Sequence, residues 1–200
     1  MGAATAAARR TPARERIGVP LLSRTESVAR PRINRKPSPL LARSLPWLTI
    51  MLGSVVPGWL LIASAPVLPP LGFLVFLAWR QLRPGLLPIW AGLPLGIFDD
   101  LFSGQPFGTA VLLWSIAAIV LEVIEARLPW RNFVTEWLVA IGLIIAYIAL
   151  CLGISNIAGA AAPLRVVGPQ IVISVFSYPL VGRFVALIDR LRLTPFVVLR

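Results

Sequence analysis

The stretch Leu86–Ala126 reads LLPIWAGLPLGIFDDLFSGQPFGTAVLLWSIAAIVLEVIEA. Two apolar runs meet at a short turn rich in Gly and Pro, and two adjacent acids, Asp99 and Asp100, close the first run. A bilayer-crossing helix needs about 20 mainly apolar residues. Each run is near that length, so the stretch predicts two spans, about Leu86–Phe102 and Phe107–Ala126, joined by a tight turn.

Working outward, the same pattern repeats. Further apolar segments run about Leu45–Ser64, Val67–Trp79, Phe133–Ile154 and Val166–Ile188, cut by Pro, Gly and Arg. The second of the six is short for an upright crossing, and Pro66, Pro69 and Pro70 crowd its start; a tilted, extended or re-entrant segment fits it equally. Composition agrees with a membrane solvent. Hydrophobic residues make up 58% of the 200-residue chain, charged residues 14%, and the mean hydropathy is +0.84. A soluble domain carries about 25% charged residues, and this chain could not cover itself with polar surface. The expected fold class is an all-α integral membrane protein of about six transmembrane helices.

Charge supplies an independent check. The net charge is +11, with ten basic residues and only Glu15 and Glu26 as acids in residues 1–46. That region also carries Pro12, Pro20, Pro31, Pro37 and Pro39, and it lacks the apolar content to offset its ordering entropy. The expected organisation is a disordered basic cytoplasmic tail at 1–43, a transmembrane domain at 44–190 and a short cytoplasmic tail at 191–200. A secretory signal is disfavoured, because the first long apolar run begins near Leu45. With the N-terminus inside, Arg80, Arg83, Arg127, Arg131, Arg183, Arg190, Arg192 and Arg200 also fall inside. Arg165 alone falls outside. This obeys the positive-inside rule with both termini cytoplasmic. The tail can add attraction to anionic lipid of about 1 kcal/mol per basic residue near the surface. Nucleic acid is not an expected partner, since no aromatic or Gly-rich interleaving accompanies the charge. Trp47, Trp59, Trp79, Trp90, Trp130 and Trp137 fall near span ends, as interfacial anchors do; Trp114 sits deeper, as a helix-packing residue.

The chemistry available is narrow. There is no His and one Cys, Cys151. An internal disulfide, a His/Cys zinc site and a Ser-His-Asp or Cys-His arrangement are excluded. Cys151 is expected as a small buried residue. Asp99 and Asp100 cannot both face lipid, where one carboxylate costs about 2.5–3.5 kcal/mol. One reading makes them a proton or ligand site. The preferred reading makes one a cap, accepting hydrogen bonds from N–H groups of the turn Ser103–Gly108 that opens the next helix. Neighbours on a helix point about 100° apart, so the two acids play different roles. Glu122 and Glu125 with Arg127 and Arg131 read as an interfacial charge cluster rather than an acid–base pair. Asn156 and Gln170 read as interhelical polar contacts, and Gly92-x-x-x-Gly96 as a candidate close-packing face.

Arg83-Pro84 and the run Gly96 to Gly108 resemble the rod shape-determining protein MreD family. Its G-x-x-x-D-x-x-x-G-x-P-x-G signature is matched by Gly96, Asp100, Gly104, Pro106 and Gly108, with Asp99 as the common neighbouring acid. The resemblance covers about residues 45–190, and its specific motif about 25 of them; the basic tail departs from the family pattern. It implies a non-enzymatic scaffold of the bacterial inner membrane, without cofactor or metal, in the elongation complex that controls cell shape and lateral peptidoglycan synthesis. Implied partners are the periplasmic scaffold MreC and, through it, actin-like MreB, RodA and a class B penicillin-binding transpeptidase. The implied fold is similar to the S component of energy-coupling-factor transporters. That similarity supplies an alternative function, a substrate-binding membrane subunit of a vitamin or small-molecule transporter.

Overall fold

A computed structural model describes residues 39–60, 68–127, 132–159 and 164–193. The chain divides between Asn34 and Arg35 into two units, and all the described elements belong to the second. Those elements are helical: α1 (Pro39–Leu60), α2 (Leu71–Leu82), a 3-10 turn (Ile89–Ala91), α3 (Gly92–Phe102), α4 (Thr109–Arg127), α5 (Phe133–Ile157) and α6 (Leu164–Leu193). Each apolar segment expected from the sequence contains one α-helix, and no strand occurs among the described residues.

Two helices extend past the domain boundaries expected from the sequence. Residues 39–43, placed in the basic tail, form the first turn of α1, and α6 runs to Leu193 rather than stopping near 190. Proline suits the first helical position, where its missing N–H has no partner to lose. Arg190 in the last turn of α6 complements the negative end of the helix dipole. Residues 1–38 and 194–200 of the two expected tails lie outside the described residues.

Proline and glycine set the helix ends. Pro69 and Pro70 precede α2, whose first bonded turn closes through the Leu74 N–H on the Pro70 carbonyl at 3.0 Å. The helix stops at Arg83, which precedes Pro84 and takes an extended φ of −135°, because a residue before proline is pushed out of the α region. Pro94 lies in the first turn of α3, where helical N–H groups have no intrahelical acceptor. At the other end of α3, Gly104 adopts φ +67° after Ser103, a left-handed helix stop that glycine takes without strain.

The shortest of the expected spans forms the centre of the molecule. From Gly72 to Gln81 every residue of α2 is buried, as expected of a helix apolar all round up to Trp79, with Arg80 and Gln81 buried at its end. It contacts α1, α4, α5 and α6. Phe73 stacks on Tyr147 of α5 with ring centroids 4.1 Å apart, and Phe76 stacks on Trp114 of α4 at 5.2 Å. Such pairs contribute about 0.5–1.5 kcal/mol beyond area burial. Trp79 departs from its expected interfacial place. It is fully buried, and its indole N–H donates to Thr49 Oγ1 at 2.9 Å. That hydrogen bond satisfies the one polar group that would otherwise hold the indole at an interface. Trp114 is buried as a packing residue, Trp59 and Trp90 are exposed, and Trp130 lies outside the described residues.

The outer helices are inverted relative to a water-soluble bundle. On α5 the buried residues Ala140, Ile144, Tyr147, Ile148 and Cys151 form one stripe, while Leu138, Ile145 and Leu150 are exposed. On α4, Leu112, Ile116, Ile119 and Val123 face outward, and α6 exposes Val172, Phe176, Leu180 and Phe184. Three helices are long and apolar enough to cross a membrane: Thr109–Arg127, Phe133–Ile157 and Val167–Leu191.

Candidate functional site

The signature residues converge on the junction of α3 and α4. Asp100 sits near the end of α3, and its carboxylate reaches across the turn to the start of α4. Asp100 Oδ2 accepts from the Gly108 N–H at 2.8 Å and from the Val111 N–H at 3.3 Å; Oδ1 accepts from the Ala110 N–H at 2.8 Å. The first N–H groups of a helix have no intrahelical acceptor and carry its positive dipole end. One anion therefore satisfies three donors with charge-assisted bonds. The donors extend beyond the turn into the first residues of α4, because the carboxylate lies alongside that helix end.

The glycines and proline let the helices come this close. A Cβ built on Gly96 would lie 2.6 Å from Val111 Cα, and one on Gly92 would lie 2.8 Å from the Trp114 carbonyl carbon. The α3 backbone thus rests directly on the α4 backbone along Gly92 and Gly96. Gly108 takes φ +95° just before α4, where an L side chain would be strained. The Pro106 carbonyl accepts from the Thr109 N–H at 3.1 Å and from Thr109 Oγ1 at 2.7 Å.

Asp99 points elsewhere. It faces a cavity of about 390 Å³ bounded by α1, the start of α2, the α3–α4 turn, α5 and α6. Ser54, Gln105, Tyr147, Cys151 and Gln170 also line it. Both acids are buried, yet only Asp100 is held by backbone N–H groups. The Ser54 hydroxyl lies beside the Asp99 carboxylate, and the Tyr147 hydroxyl and Gln105 lie beside Cys151. Gln170 spans between elements, its Nε2 donating to the Leu68 carbonyl at 3.1 Å, whereas Asn156 is exposed at the end of α5. Cys151 is buried beside Tyr147 in the cavity wall.

A second polar centre lies at the other end of α2, and the expected charge cluster is rearranged there. Glu122 pairs with Arg80 of α2 at 2.8 Å, although Arg127 and Arg131 are closer in sequence. Arg80 is 1% exposed, and it also donates to the carbonyls of Leu87 at 2.7 Å and Ala118 at 3.2 Å. A buried guanidinium needs acceptors inside the protein; both terminal nitrogens of Arg80 find them, and α4 supplies two from consecutive turns. Glu125 is half-buried, Arg127 is exposed, and Arg131 lies outside the described residues. Beside this centre, Arg83 pairs with Asp189 of α6 at 2.7 Å, and the Tyr178 hydroxyl donates to Gln81 Oε1 at 2.7 Å. Arg80 and Arg83 read from sequence as loop charges; their true partners lie 42 and 106 residues away. The only sequence sign was an Arg and a Gln inside an apolar helix.

Among the described residues, no group of three His, Cys, Asp or Glu side chains could hold a metal ion. The arrangement of Asp100 is that of a helix cap, with both carboxylate oxygens engaged by backbone. The cavity around Asp99 places a buried carboxylate without an ion-pair partner among the described residues against open space. No known protein family matches the chain, and no curated protein or solved structure is significantly similar to it.

Proposed function

We propose that this chain is a non-enzymatic scaffold of the MreD type, crossing the bacterial inner membrane six times with both termini in the cytoplasm. The observation that carries the reading is the Asp100 cap. The residues of the G-x-x-x-D-x-x-x-G-x-P-x-G pattern meet at one junction, and Asp100, Gly96, Gly104, Pro106 and Gly108 each serve its geometry. A motif spent on positioning two helices fits a protein that acts by presenting surfaces. Arg-rich inner junctions and a basic tail support the orientation, and the apolar outward faces of α4, α5 and α6 support a lipid surround. The short helices α2 and α3, about 18 and 17 Å long at 1.5 Å per residue, complete their crossings with the flanking turns and loops. In this function the partners are an MreC-like periplasmic scaffold and, through it, the wall-synthesis proteins and actin-like MreB. Depleting the protein from its source cell tests the reading: a rod should round up and widen before growth stops. Retention of rod shape after complete depletion would overturn it.

A second reading, a substrate-binding subunit of a small-molecule transporter, is favoured by the cavity around Asp99. Its volume of about 390 Å³ falls within the range of ligand pockets, about 300–1,000 Å³. Uptake defects without a shape defect would favour this reading.

A further inference from the structure

The two acids of the α3–α4 junction are neighbours in sequence and opposites in surroundings. Asp100 is saturated by three backbone donors. Asp99 is buried in the wall of a cavity with room for a guest. Two hydroxyls line the same cavity, each more than nine-tenths buried: Ser54, beside the Asp99 carboxylate, and Tyr147, beside Cys151. The Gln105 amide oxygen is buried in the same lining. Buried charges in folded proteins are paired, and the two ion pairs of the described residues, Arg80–Glu122 and Arg83–Asp189, leave Asp99 without a cation, so the cavity marks a place where the counter-charge comes from outside the chain.

We propose that this cavity is a binding site for a small organic cation, a protonated amine on an apolar body, with the ammonium paired to Asp99. The charge follows from the lining. A carboxylate and an amide oxygen only accept hydrogen bonds, hydroxyls can accept, and no Lys or Arg lines the cavity among the described residues. An ammonium offers three donors and the compensating charge that a buried carboxylate requires. The apolar body follows from the remaining walls, which include Pro57, Phe102, Ile148 and Leu152. An anion would meet Asp99 with like charge and leave Gln105 Oε1 unpaired. The site depends on the cavity alone, and it serves a scaffold as a sensing site or a transport subunit as its substrate site.

The test uses the full chain purified in a neutral detergent. Binding of 2-phenylethylammonium and of n-butylammonium is measured by calorimetry against 3-phenylpropanoate, an anion of similar shape to the first. Saturable binding of an ammonium, at least about tenfold tighter than the anion, is expected for a charge-assisted contact. Asp99→Asn should weaken ammonium binding at least about tenfold while the melting temperature without ligand does not fall. Gly58→Leu supplies a second variant. A Cβ there meets only the Phe102 carbonyl oxygen, at 3.9 Å, so the added side chain fills the cavity without displacing backbone and should abolish binding. Equal binding of cation and anion, binding that survives both variants, or no ammonium binding up to about 10 mM would each overturn the proposal. Those failures leave the scaffold reading untouched, because that reading stands or falls on cell shape and partner capture.

Discussion

Replacing Asp100 separates its capping role from that of an acid tolerated near a helix end. Asp100→Leu removes the acceptor of three N–H groups. The Ala110 donor is buried, and those of Gly108 and Val111 are partly so. A buried donor left unsatisfied costs about 1–3 kcal/mol, and loss of a helix cap about 0.5–2 kcal/mol. Counting Ala110 at full cost, with Gly108 and the longer Val111 contact at a fraction, gives about 3 kcal/mol. For a chain of this length about 2–4 °C accompanies each kcal/mol, so the melting temperature in detergent should fall by about 6–12 °C. Asp100→Asn retains one acceptor oxygen but turns an NH2 toward the same donors, so it should fall about halfway between. The assay is thermal unfolding of the full chain followed by tryptophan fluorescence, with monodisperse yield from size-exclusion chromatography as a second readout. A Leu variant that melts with the wild type would refute the capping role. So would Asn and Leu variants that melt together, since the account makes retained acceptor capacity the difference between them.

Other substitutions test the rest of the architecture. Gly96→Leu forces a side chain where a Cβ alone would lie 2.6 Å from Val111 Cα; it should separate α3 from α4 and cost about 1–3 kcal/mol or more, read as a lower melting temperature. Glu122→Ala leaves the Arg80 guanidinium, 1% exposed, without its counter-charge and should cost about 3–5 kcal/mol, whereas Arg80→Met leaves a carboxylate that is 54% exposed and deprives the Leu87 carbonyl of its donor, and should cost about 1–3 kcal/mol; equal losses would contradict the burial asymmetry. Deleting residues 1–38 should leave insertion and the C-terminal orientation unchanged, because Arg43 and the inner arginines remain to set topology; an inverted C-terminal reporter fusion would refute this.

The helical plan was legible in hydropathy, because runs of apolar residues broken by Pro, Gly and Arg leave few other solutions. The position of α2 was not. Its 12 residues read as the weakest span, and only the tertiary arrangement makes a short helix apolar on every face the one that all the longer helices can surround. Trp79 misled for a related reason: a tryptophan beside an arginine suggests an interface, but Thr49, 30 residues earlier, satisfies the indole inside the protein. The turn after Asp99-Asp100 announced a cap by its Gly and Pro content, yet nothing in the sequence said which acid would serve. That choice depends on a rotation of about 100° between neighbouring side chains, which is set by how α3 lies on Gly92 and Gly96. The Arg80–Glu122 and Arg83–Asp189 pairs were invisible because their partners are distant in sequence, while local arginines offered simpler pairings.

The measurement that tests the functional account most directly is capture of the tagged full chain from its source cell in mild detergent, with co-purifying proteins identified by mass spectrometry. The account predicts recovery of a single-span, coiled-coil periplasmic scaffold together with wall-synthesis enzymes. Recovery of ABC-type ATPases with a transmembrane coupling subunit, and no wall-synthesis protein, would contradict it.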